Sequence, residues 1–190
     1  MNAKILRRLA FATALTLGAF GGAHAAQYTA LDSEASTVTF GYSQMSVKMD
    51  GGFSQINATE FSFDPKNPQA ARVAIEITLA SIDAGYDEAN AELEKDEWLA
   101  LGQHPLATFV SRQVQVTGDG TYEVSGDLSI KGTTKEVMVP FTFEEDGDAG
   151  VFKGNFTFQR ADFAVGEGQW KDFSIVANEI DIKFNIVATQ

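Results

Sequence analysis

Cysteine is absent from all 190 residues. That excludes a disulfide framework, a thiolate nucleophile and a sulfur-ligated metal, so burial alone must hold the fold. Histidine is almost as scarce: after position 25 only His104 remains, directly before Pro105, where a surface loop accounts for it. With no second imidazole to act as base, and no serine flanked by the glycines of a nucleophile elbow, hydrolytic chemistry lacks its parts. Asp146-Gly147-Asp148 is too short to space the ligands of a calcium loop. Gly166-Glu167-Gly168 lacks the following helix that a dinucleotide fingerprint requires. Carboxylates are plentiful, as in Glu88, Glu92 and Asp96 or Glu144, Glu145 and Asp146, but at that abundance they read as solvated faces. No metal site and no catalytic residue is expected, and the protein is not expected to be an enzyme.

Positive charge is also in short supply. From residue 26 onward 11 Lys and Arg face 26 Asp and Glu, a formal charge of −15. Such a surface repels phosphate backbones, which excludes nucleic acid as a partner, and it disfavours anionic lipid surfaces. Long apolar runs are confined to the N-terminus, where Lys4, Arg7 and Arg8 precede an apolar stretch from Leu9 to Phe20 and the small-x-small triplet Ala23-His24-Ala25. This is the layout of a cleaved signal peptide over residues 1–25, leaving one domain over 26–190 and a periplasmic location. No later run reaches the roughly 18 apolar residues of a membrane span.

What is present is alternation. Val137, Val139, Phe141 and Phe143, then Ile180, Ile182, Phe184 and Ile186, are spaced as strands with one apolar face. The same period marks Ser36 to Tyr42, Phe53 to Phe63, Arg72 to Ala80, Thr108 to Thr117, Tyr122 to Ile130, Val151 to Phe158 and Ile175 to Ala188. Only Asp87 to Leu101 changes to helical spacing, with Leu93, Glu97 and Leu101 four apart. The expected fold is all-β: eight antiparallel strands closing into a barrel, with one short helix between strands 3 and 4, and a two-sheet sandwich as the competitor.

Thirteen of 15 phenylalanines lie beyond residue 25. Phe40, Phe61, Phe63, Phe109, Phe141, Phe143, Phe152, Phe156, Phe158 and Phe184 share inward strand faces. They fill a packed core, or, beside small residues such as Gly126, Gly154 and Ala188, they wall an elongated space suited to a hydrocarbon chain. Tyr42, Gln44, Lys48, Asp87, Arg160 and Asp162 are candidates for a head group at the mouth. Trp98 and Trp170 are candidates to shield either end, and Arg160 with Asp162 is a candidate ion pair.

Ordered motifs over residues 27–190 carry a resemblance. They include Tyr28 to Asp32, Gly52-Phe53, Ser81-Ile82, Asp96-Glu97-Trp98-Leu99, Pro105 to Phe109, Gly126 to Thr134 and Gln159-Arg160-Ala161-Asp162-Phe163. In these the chain resembles the YceI-like family of exported, lipocalin-like proteins. The resemblance implies a lipocalin-like barrel that holds the tail of a polyisoprenoid, an isoprenoid quinone or a related amphiphile, with no other cofactor. This sequence has Gln44-Met45 where many members carry His. A ligand-free barrel whose acidic turns engage a basic protein, of unknown identity, is the alternative.

Overall fold

The hydrophobic alternations fold into antiparallel strands that pair largely in chain order around one curled sheet. A computed structural model describes residues 27–190, and the expected signal peptide lies outside them. Ten strands form: β1 (Ala30–Gln44), β2 (Val47–Phe53), β3 (Ile56–Ser62), β4 (Arg72–Thr78), β5 (Ile82–Asp83), β6 (Leu106–Gly118), β7 (Thr121–Ile130), β8 (Thr133–Asp146), β9 (Ala149–Gln159) and β10 (Glu179–Thr189). A helix, α1 (Asp87–Leu93), lies between β5 and β6. The sheet order is β3-β4-β6-β7-β8-β9-β10-β1-β2-β5.

Its two margins are joined rather than left as free edges. Tyr28 and Phe63 exchange two backbone hydrogen bonds of 2.9 Å, tying the entry to β1 against the end of β3. Near the other end of the seam, Ser54 N–H donates to the Ser81 carbonyl at 3.2 Å and Thr78 N–H to the Gln55 carbonyl at 3.1 Å. Closing the curl removes the exposed edges on which another chain could pair.

The expected count of eight strands is corrected to ten, through β2 and β5. The alternation places the second strand from Phe53 onward, yet a separate strand, β2, precedes it and contains both Gly51 and Gly52. The turn ahead of it is Met45-Ser46, where both residues have positive φ, 49° and 67°. Gly51 serves close approach: it pairs with Phe40 across the ladder, and a Cβ there would stand 2.3 Å from the Phe40 ring and 2.6 Å from the Asp83 carbonyl oxygen. The helix is also shorter than its spacing suggests, ending at Leu93, beyond which the chain runs through turns to Leu101.

Packing divides the interior into two ends. At one end Tyr28, Phe61, Phe63, Tyr122, Phe141, Phe143 and Phe152 interlock. Phe63 is 4.9 Å from Phe143 and 5.0 Å from Phe152 between ring centroids, the latter pair edge to face at 89°. Such offset and T-shaped contacts suit the ring quadrupoles and fill space densely. The second cluster, around Leu79, Trp98, Leu99, Leu128, Ile130 and Phe163, lies under the segment that joins β9 to β10.

Adding the missing methyl at Gly51 forces the Phe40 ring and the β5 backbone apart. Gly51→Ala is expected to cost about 1–3 kcal/mol, as overpacking of a filled core does. A thermal melt checks it, with Gly102→Ala, where a Cβ meets nothing within 4 Å, as the neutral control.

Candidate functional site

Between the two packed clusters the barrel encloses a cavity of about 540 Å³. Alternate residues of successive strands build its wall: Val73, Ile75 and Ile77 from β4, Val124, Leu128 and Ile130 from β7, Ile180, Ile182, Phe184 and Ile186 from β10. The wall is apolar because each strand turns one face inward: along β7 the inward residues Tyr122, Val124, Gly126, Leu128 and Ile130 are all buried and the outward ones half-buried.

Three rings lie flat on glycines of the neighbouring strand. Phe40 covers Gly51, Phe109 covers Gly126 and Phe184 covers Gly154, each so closely that a Cβ would fall 2.3–2.5 Å from the ring. Laid against the wall, these rings do not meet across the axis. The inward glycines therefore keep the space open by seating a ring, not by leaving a gap at their own position.

The lining is exposed where the chain enters α1. Tyr86 and Glu88, at the start of α1, are its exposed members. Beside them stand the half-buried Gln44, at the end of β1, and Glu92, one turn further along α1. The Tyr86 hydroxyl donates to Gln44 Oε1 at 2.9 Å, and the Tyr42 hydroxyl donates to the Ala84 carbonyl at 3.1 Å. Burial pushes the Tyr42 phenol above its ordinary pKa, with Tyr86 adding to the effect, so it stays neutral.

Residues 160–178 cover this end, and Arg160 organises them. Its side chain is 1% exposed and pairs with no carboxylate among the described residues. Nε donates to Ala177 O at 3.0 Å, Nη1 to Val165 O and Gly166 O at 2.8 and 3.1 Å, and Nη2 to Trp170 O and Val176 O at 2.6 and 2.8 Å. All five N–H groups of a guanidinium are thereby used. Its carbon also stands 5.2 Å from the Trp98 ring centroid and 5.3 Å from that of Phe173, within cation–π range. Burial lowers its pKa, but a guanidinium remains protonated at any pH the fold experiences. Gly166 has φ +79°, and a Cβ there would lie 2.0 Å from Nη1, so only glycine fits the wrap around the cation.

Further bonds fasten this cover to the barrel. Lys131 Nζ donates to Ala164 O at 2.7 Å and pairs with Glu167 at 3.2 Å. The Glu97 carbonyl accepts from Gly166 N and Glu167 N, both at 2.8 Å. Trp170 Nε1 donates to Glu92 Oε1 at 3.1 Å, and Glu92 is also paired with Lys95. Trp98 Nε1 is buried without a partner among the described residues. An unpaired buried donor of this kind costs about 1–3 kcal/mol.

Of the residues singled out in the sequence, Phe40, Tyr42, Phe61, Phe63, Trp98, Phe109, Phe141, Phe152, Phe156, Phe158, Arg160, Trp170 and Phe184 all line the cavity. Phe143 does not; it belongs to the interlocked end. Asp162 is exposed and makes no pair with Arg160, whose donors the backbone has taken. The two tryptophans do not guard opposite ends, since their centroids are 5.4 Å apart. Lys48 and Asp87 lie outside the lining, whereas Gln44 is part of it. The aliphatic rows of β4, β7 and β10 were readable as inward faces, but attention to rings alone leaves them out of the site.

A family model described as the YceI-like domain matches residues 29–188. The chain belongs to the YceI-like family. A UPF0312 protein of Azotobacter vinelandii is 32% identical to it over 196 residues, covering 98% of this chain and 97% of that protein. The crystal structure of Burkholderia cenocepacia BcnA superposes with a TM-score of 0.80 at 37% identity, over 84% of this chain and 99% of BcnA. A polyisoprenoid binding domain from Saccharophagus degradans shares the YceI-like fold, with a TM-score of 0.68 at 15% identity over 87% of this chain and 99% of that domain.

Phe63, 2% exposed among other rings, and Phe156, half-buried against open space, separate packing from lining. Phe63→Ala is expected to cost about 3–5 kcal/mol in denaturant unfolding, and Phe156→Ala distinctly less, because its ring faces open space on one side. Arg160→Lys supplies at most three donors for five carbonyls and is expected to lose about 2–5 kcal/mol, with faster amide exchange across residues 160–178. Asp162→Ala should leave both measurements at the wild-type value.

Proposed function

We propose that this protein binds a long-tailed isoprenoid lipid, a polyisoprenoid or an isoprenoid quinone, inside the barrel, and that it does so in the periplasm after cleavage of residues 1–25. The observation that carries the reading is the continuous apolar cavity, which has its polar side chains gathered at the opening. At about 540 Å³ it falls within the roughly 300–1,000 Å³ of small-molecule sites. A hydrocarbon tail needs no directional bonds and gains about 0.8 kcal/mol for each CH₂ moved out of water. The description of the Saccharophagus degradans domain as polyisoprenoid binding supports the same class of ligand for this member of the fold. The packed-module alternative accounts for the interlocked rings around Phe63 but not for the open space above them.

The basic n-region and apolar run before Ala23-His24-Ala25 support export. The formal charge of −15 from residue 26 onward supports a small hydrophobic partner over a nucleic acid.

Solvent extraction of the purified protein followed by mass spectrometry should recover a prenyl lipid, and the stripped protein should take up a supplied prenyl quinone. Ile182 lines the middle of the wall, opposite Phe40 on one side and Phe156 on the other. Ile182→Trp should fill the lumen and abolish uptake while a cooperative melt is retained. Recovery of no lipid together with no uptake by the wild type rejects the reading.

A further inference from the structure

The lining contains one cation and two carboxylates, and their commitments decide which head group the opening can accept; this step rests on the lipid-binding reading above. Arg160 is the cation, and its five N–H groups are all spent on backbone carbonyls. A phosphate brought to the wall would find no uncommitted cation there. Lys131 is engaged with Ala164 O and Glu167 and lies outside the lining, as do the exposed Lys48 and Lys171.

The carboxylates are Glu88 and Glu92, four apart on α1 and so on one face of the helix. Glu92 has Lys95 and Trp170 Nε1 as partners. Glu88 is exposed at the opening and pairs with no cation among the described residues. Gln44, in the same lining, uses Oε1 to accept from Tyr86, while its Nε2 makes no hydrogen bond among the described residues. Its backbone is fixed by the bridge to Val176 and by the bond from Met45 N–H to the Ile175 carbonyl at 2.8 Å. The lining at the opening therefore includes both an amide donor and an unneutralised negative charge. An uncharged oxygen is served by the donor, and an anionic one meets the carboxylate without compensation.

We propose that the barrel selects isoprenoids whose head group is electrically neutral, such as a quinone, an alcohol or an amide, with Gln44 donating to the head-group oxygen and Glu88 excluding the phosphorylated counterpart.

Three lipids of equal tail length test this against the refolded, lipid-free protein: a prenyl alcohol, the matching prenyl phosphate and a headless prenyl hydrocarbon, each titrated by quenching of the Trp98 and Trp170 fluorescence. The alcohol should bind about tenfold more tightly than the phosphate at low salt, the size of one charge contact near a protein surface. Glu88→Gln should narrow that gap by strengthening the phosphate alone. Gln44→Leu should weaken the alcohol several-fold and leave the hydrocarbon unchanged, which separates head recognition from any general damage to the fold. Equal or tighter binding of the phosphate by the wild type, or an alcohol affinity indifferent to Gln44→Leu, overturns the inference while the hydrocarbon still reports a working cavity. Failure of all three lipids to bind overturns the cavity reading and this inference together.

Discussion

A guanidinium with no carboxylate beside it can remain inside a protein only if something replaces the water it has lost, and around Arg160 five backbone carbonyls take that role. Of the five, Val165 and Gly166 precede the short 3-10 turn at Gly168–Lys171, Trp170 lies within it, and Val176 and Ala177 follow it. The cation thus sets the path of a segment that has no ladder of its own. Every contact that closes the upper end follows from that path: Trp170 reaches Glu92, Glu167 reaches Lys131, and Trp98 packs between the cover and the wall. Charge burial usually favours a carboxylate partner; here backbone dipoles suffice because they converge from several directions at once and leave no donor unpaired.

The same residue type does opposite things at the two ends of the barrel. Below, phenylalanines meet edge to face and exclude one another's free space. Above, Phe40, Phe109 and Phe184 lie against glycines of the adjoining strand, and the smaller aliphatic residues of β4, β7 and β10 leave the axis unfilled. The difference lies in what the strand next door presents. Opposite Phe143 is another ring, Phe152, while opposite Phe184 is Gly154.

Much of this could be read from period-two spacing. The long strands of the second half, their inward faces and their hairpin order follow from alternation that a helix could not satisfy, and fourteen of the ring and mouth candidates, Gln44 among them, do line the cavity. What spacing could not convey was set by contacts across the sheet. Spacing gives no sign of β2 before Phe53, since Gly51 is there to leave bare backbone for Phe40, and the turn ahead of it, Met45-Ser46, carries no glycine at all. Asp162 follows Arg160 by two residues and invites an ion pair, but the side chains diverge because the backbone has already claimed the cation. Gln44 and Tyr86 meet only because the β1–β2 hairpin and α1 close on the same end, a juxtaposition of residues 42 apart.

The interlocked rings at the base make the barrel a sleeve with a floor rather than a pipe. A flexible chain enters such a sleeve tip first, and whatever follows last is presented outward. On the lipid-binding proposal, release runs in reverse order, the polar terminus emerging before the greasy stem slides free. On the same proposal, the molecule would be a holder emptied through the door by which it is filled, not a conduit from one face to the other.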